Sequence, residues 1–232
     1  FKALRILFGP LRGGVGMAVI AVCIIFAACT GIIGASVVTM GLLAAPFLLR
    51  YGYSKELTVG MVAAGGSLGI LIPPSIMLVM MADQTGQSAG KLLMAGVFPG
   101  ILLGVLYMIY IALACWIYPE MGPAVPREEL DRIPVRRRVT DSLKFALPPL
   151  ALIFTVLGTI FFGVATPTES AGVGSAAAFL LILIYGRFEW RNFKDTIFST
   201  ARTVTMVMII LIGATTFTGV FLTQGGGKAI VD

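Results

Sequence analysis

Hydroxyls, glycines and prolines, rather than acids, bases or thiols, are the residues whose spacing in this sequence suggests chemistry. No histidine occurs in the 232 residues, which excludes Ser/His and Cys/His nucleophilic pairs, histidine metal sites, haem ligation through His and histidine proton relays. Cys23, Cys29 and Cys115 all lie in apolar runs, giving neither a disulfide framework nor a CxxC site, and read as small buried hydrophobes. Two strings remain. In GASVVT (34–39), Ser36 and Thr39 supply hydroxyl oxygens and Gly34 permits a tight turn,. A single hydroxyl would be read as bonding back to its own helix, but a cluster at a turn suits a hard monovalent cation, which prefers oxygen ligands. In GGSLGILIPPS (65–75), Pro73 and Pro74 lack N–H groups, which orphans the carbonyls of Gly69 and Ile70 four residues earlier,. A helix restarting near Ser75 points its positive end at the break, a seat for a carboxylate.

The elements that position these strings follow from composition. Hydrophobic residues make up 58% of the chain and charged residues 12%, with a mean hydropathy of +0.98, far too apolar for a soluble domain of this length. The chain reads as an all-α integral membrane protein, a polytopic helical bundle. Seventeen Lys and Arg against 11 Asp and Glu give a formal net charge of +6. Without basic clusters interleaved with aromatics, that charge belongs to membrane topology and not to nucleic-acid binding. The missing initial Met and the Gly-rich stretch 224–228 near the end read as marks of a fragment,.

A membrane-crossing helix takes roughly 20 apolar residues. The run 13–49 is uncharged, with Lys2, Arg5 and Arg12 before it and Arg50 and Lys55 after it. It should therefore return to the side it left, as a re-entrant hairpin with its tip at GASVVT. The run 57–82 follows as a discontinuous helix, with the break near the bilayer midplane, and 92–118 as a span. The loop 119–144, with Arg127, Arg132, Arg136, Arg137, Arg138 and Lys144, is placed in the cytoplasm by the positive-inside rule,. Spans 145–162 and 167–185 go out and back to a second cytoplasmic basic stretch, 187–195, and 204–222 leaves again. Tyr185 and Trp190 fall where interfacial aromatics belong,. The whole of 1–232 reads as part of one transmembrane domain.

Broken helices at membrane depth survive only where protein or a water-filled cavity satisfies the freed backbone groups. One proline is commonly a packed kink, but two after a Gly-rich turn point to the carbonyl and helix-terminus sites of secondary transporters. The string ATPTE (165–169) brings the only acid between Lys144 and Arg187. Thr166 as N-cap, Pro167 at N1 and Glu169 at N3 spell a capping box, a structural role that needs no ligand.

GGSLGILIPPS, with GASVVT upstream, RYGY (50–53) between them, AGVFPG (95–100) after them and GVATPTESAGVG (163–174) further on, resembles the large, DctM-like membrane subunit of tripartite ATP-independent periplasmic (TRAP) transporters over nearly the whole chain. The resemblance implies an inverted-repeat elevator transporter of the bacterial inner membrane. Such a carrier imports organic acids of the C4-dicarboxylate, sialic acid or sugar acid type by sodium symport. It implies no cofactor beyond Na+ as coupling ion, a small DctQ-like membrane partner and a periplasmic DctP-like solute-binding protein. Carried over, it implies Gly34, Ser36, Thr39, Gly66, Ser67, Gly69 and Pro74 at a sodium site, and Ser36, Pro73, Pro74 and Ser75 at the substrate. Ala35 and Val38 stand where relatives usually carry a serine and an alanine, which leaves the cation more dependent on backbone. The second half of the repeat would lie beyond Asp232.

Other function classes fare worse. An aspartyl intramembrane enzyme needs two facing carboxylates, and Asp83 has no intramembrane acidic partner,. A channel would show charged rings or a carbonyl filter repeated by symmetry. The nearest rival is a related sodium-coupled anion or dicarboxylate carrier that works without a binding protein.

Overall fold

The computed structural model describes residues 8–9, 11–124 and 135–225. Among these it contains eight α-helices and no strand. They are α1 (Gly14–Thr30), α2 (Ile33–Arg50), α3 (Lys55–Ser67), α4 (Ile76–Thr85), α5 (Ala89–Ile117), α6 (Val135–Phe161), α7 (Pro167–Ile184) and α8 (Trp190–Thr223), with short 3-10 turns at Leu68–Ile70 and Pro119–Met121. Four of them, α2, α5, α7 and α8, are long and apolar enough to cross a membrane,. The chain is a multi-pass helical membrane protein.

Helices α1 and α2 form an antiparallel pair joined through residues 31 and 32. Gly31 ends α1 in the left-handed region (φ 63°), its N–H bonding to the Ala27 carbonyl, a conformation that favours glycine. The turn therefore lies three residues before the expected GASVVT tip, and residues 34–39 form the opening turns of α2. Gly34 has no positive φ and turns nothing. At the other end the Gly16 N–H donates to the Tyr53 hydroxyl at 3.1 Å, tying the start of α1 to the linker after α2. Gly13 N–H to Gly122 O (3.1 Å) and Ser54 N–H to Met121 O (3.0 Å) bring the end of α5 into the same knot. A buried cluster including Val15, Val19, Ile20, Met40, Leu48 and Met61 fills the space between.

Helix α3 does not run through the predicted span 57–82. It tightens into the 3-10 turn, loses helical structure over 71–75 and restarts as α4. Helix α5 supports that break with a small-residue face, Gly96, Gly100 and Gly104 at i, i+4 and i+8,. A Cβ on Gly100 would stand 3.3 Å from Ile72 Cα, and one on Gly96 3.2 Å from Leu71 O. The two glycines let the long helix lie directly on the interrupted backbone.

The chain divides into two compact units, residues 1–178 and 179–232. In the first, α6 and α7 are joined across Thr159 and Ser170, whose hydroxyls lie 2.8 Å apart. The second holds the end of α7 and all of α8, with a cluster of Phe179, Phe188, Trp190 and Phe193 over which Lys194 places its Nζ, 5.6 Å from the Trp190 ring centre. Residues 135–144, expected as part of a loop, are the first turns of α6. Helix α8 begins at Trp190, within the stretch expected as a basic loop, and not at 204. Hydropathy detects only the part of a helix that lipid can hold, and charged residues do not end a helix. Residues 125–134 of the basic loop, with Arg127 and Arg132, lie outside the described residues, as do Lys2 and Arg5.

Candidate functional site at a broken helix

Two hydroxyls meet where α1 ends and α2 begins. Thr30 Oγ1 and Ser36 Oγ are 2.6 Å apart. Ser36 also lies 2.9 Å from Ile32 O, and Thr30 lies 3.2 Å from Phe26 O and 3.3 Å from Ala27 O. Each hydroxyl has one proton, so two protons serve the pair and three carbonyls, an arrangement rich in lone pairs. Ser36 is buried. The 3-10 turn after α3 comes up against this pair through Gly69, where a Cβ would stand 3.0 Å from Ser36 Oγ, 3.5 Å from Ile32 O and 3.6 Å from Thr30 Oγ1. One turn earlier Gly66 lies on the backbone of Val37, 2.9 Å from its N atom by the same measure.

The break has its own bond. Ser75 Oγ donates to the Ile70 carbonyl at 2.7 Å, so one of the two acceptors orphaned by the prolines is served by a side chain. Pro73 and Ser75 are buried. Ser75 occupies the N-cap position of α4 in an extended conformation, yet its side chain makes no cap bond, leaving the first N–H groups of α4 without a side-chain acceptor. The α1–α2 turn packs beside this helix start: a Cβ on Gly31 would be 3.1 Å from Pro74 O and 3.5 Å from Ile76 N.

Of the residues expected at the site, Ser36 and Gly69 therefore meet, Gly66 lies one turn away against α2, and Pro73, Pro74 and Ser75 form the break beside Gly31. Gly34 is exposed with nothing within 4 Å of its Cβ position, and Thr39 is half-buried one turn along α2. Ser67 closes on its own helix, donating to Ala64 O at 2.8 Å. Thr30 and the Ile32 carbonyl were not among the expected site residues. The Thr-Gly pair at 30–31 is a helix stop signal that carries the first, whereas a backbone carbonyl leaves no trace in residue type. At the start of α7, Thr166 N–H donates to Glu169 Oε2 (2.7 Å) and Glu169 N–H to Thr166 Oγ1 (3.3 Å), with Pro167 as the first helical residue. That carboxylate is occupied by its own helix end. Among the described residues no group of three or more His, Cys, Asp or Glu could hold a metal. What the break offers is neutral oxygens on one side and helix N–H groups on the other.

An interrupted helix with uncapped N–H groups inside a multi-pass bundle is an arrangement that recurs in the class of membrane carriers. The family model described as "Tripartite ATP-independent periplasmic transporter, DctM component" matches residues 1–232, and the chain belongs to that family of membrane transporter components. It is 36% identical over 217 residues to a C4-dicarboxylate TRAP transporter large permease protein of Pseudomonas aeruginosa, covering 93% of this chain and 49% of the relative. It is 32% identical over 237 residues to the corresponding protein of Rhodobacter capsulatus, covering 96% and 52%. An isethionate TRAP transporter permease protein DctMQ of Oleidesulfovibrio alaskensis is 32% identical over 214 residues, 91% of this chain and 32% of the relative. The chain thus spans about half the length of the first two relatives.

Proposed function

We propose that the full-length protein imports organic acids across the bacterial inner membrane by sodium symport. The observation that supports this reading best is the meeting of Ser36, Thr30 and Gly69 beside the interrupted helix. Neutral hydroxyl and carbonyl oxygens suit Na+, which they coordinate through their lone pairs without a titrating group. In this reading the cation sits among the Ser36 and Thr30 hydroxyls and the backbone at Gly69, with Gly66 one turn away. The carboxylate faces Ser36, Pro73, Pro74 and the backbone, not the hydroxyl, of Ser75 at the open first turn of α4. The relatives named for C4-dicarboxylates and isethionate support an organic anion as cargo. The α1–α2 pair acts as a re-entrant hairpin and moves with the broken helix as a rigid body, in the elevator manner. A small DctQ-like membrane subunit is its partner in the bilayer, and a periplasmic DctP-like binding protein delivers the solute.

The test is uptake by the full-length protein in vesicles with its small membrane partner, using a labelled panel that includes succinate and isethionate. Sodium gradient and binding protein are each supplied or withheld. Uptake should require both. Uptake indifferent to sodium would overturn the symport reading, and sodium-driven uptake without the binding protein would place the chain with independent anion carriers.

A further inference from the structure

We infer that Ser75 is a positioning residue: its hydroxyl, bonded to the Ile70 carbonyl, clips the two sides of the helix break together and so sets where Gly69 and the start of α4 stand relative to each other. The inference rests on the carrier reading of this site. In an uninterrupted helix the Ile70 carbonyl would accept from the N–H of residue 74, and Pro74 has none. A buried acceptor left alone is costly, and Ser75 Oγ supplies the donor at 2.7 Å from a position only 1% exposed.

Ser75 fills neither of two other roles open to it. A serine in extended conformation at an N-cap ordinarily accepts from the N–H two or three residues on, and this one does not. Its single proton goes to Ile70, so it cannot also donate to a bound carboxylate, which only accepts. The helix start beside Gly31 is open, and the 3-10 turn stands against the Ser36–Thr30 pair. One hydroxyl thereby holds the cation side and the anion side of the break at a common spacing without touching either ligand.

The experiment compares Ser75→Ala and Ser75→Thr in the full-length protein, assembled with its partners, using labelled succinate. Ser75→Ala should raise the half-saturating concentrations of sodium and of succinate together, by roughly tenfold, the worth of one buried hydrogen bond. Ser75→Thr, which keeps the hydroxyl on an extended residue, should bring both back. In the purified full-length protein the amides of residues 71, 72 and 75–78 should exchange with deuterium about tenfold faster in Ser75→Ala and at the original rate in Ser75→Thr. The inference is overturned if Ser75→Ala leaves that exchange unchanged, if it raises the succinate requirement while sodium's stays put, or if threonine does not restore the protein. Wild-type protein that shows no sodium-dependent uptake would overturn the carrier reading alone, and the exchange comparison would still decide the role of Ser75.

Discussion

Ser36 shows how a residue acquires meaning that its type alone does not give. Three residues on, Thr39 carries the same functional group in the same string, yet only Ser36 is buried against Thr30 and Gly69. The difference arises because α2 starts at Ile33, which points position 36 back at the end of α1. Replacing Thr30 and Ser36 together by Val and Ala should raise the sodium requirement for uptake by the full-length protein about tenfold or more. Each hydrogen bond to a charged group is worth about 1.5–3 kcal/mol. An unchanged sodium dependence would exclude both hydroxyls as ligands. Gly69 offers a sharper case, since a methyl there would press on Ser36 Oγ from 3.0 Å. Gly69→Ala should cost about 1–3 kcal/mol of stability as overpacking and abolish uptake, read by thermal unfolding and transport on the same preparation. The oxygen-rich character of this region was legible from GASVVT and its neighbours. The position of the turn was not, because Gly31 makes it and not Gly34, and a three-residue shift in a helix start rotates a different set of side chains inward.

Glycine does opposite things on different helices, and the elements explain which. On α5, Gly100 faces the interrupted segment, with Ile72 Cα 3.3 Å from where a Cβ would go. On α3, Gly60 faces open space, with nothing within 4 Å. Gly100→Ala should therefore destabilise the protein by about 1–3 kcal/mol, while Gly60→Ala should stabilise it by up to about 1 kcal/mol through helix propensity alone. Thermal unfolding of the two variants in detergent checks the sign of each, and equal shifts would show that α5 is not pressed on the break. At the hairpin base Tyr53→Phe would leave the Gly16 N–H without the acceptor it now has at 3.1 Å. The expected loss is about 1–3 kcal/mol, seen in the same assay. Two adjacent prolines cannot continue a helix, which is the signal for a discontinuity within 57–82 that residue type carries. Residue type could not show the packing of α5 on that break, since the three glycines at spacing four read equally well as a contact with any neighbour.

At the scale of the whole chain, helix length and hydropathy give different information. Helix α8 has 34 residues, roughly 51 Å at about 1.5 Å per residue, well beyond a hydrocarbon core of about 30 Å. The hydropathic run 204–222 accounts for the core alone. The preceding 14 residues carry Arg191, Lys194, Asp195 and Arg202 and the Trp190–Phe193 stack with Lys194 over it, an amphiphilic assembly suited to the headgroup layer. Reading that stretch as a loop confused solvation with lack of structure. By the positive-inside rule the start of α8 is expected on the cytoplasmic side, and the link between α4 and α5, with Lys91 in the first turn of α5, on the periplasmic side,. Single cysteines at Gln87 and at Glu189, in full-length protein with Cys23, Cys29 and Cys115 replaced, should react with a membrane-impermeant thiol reagent from opposite faces. Gln87 should label in intact cells and Glu189 only after the membrane is opened. Labelling of both from one side would mean that α5, α6 and α7 make an even number of crossings between them, against the three that the Lys and Arg residues imply.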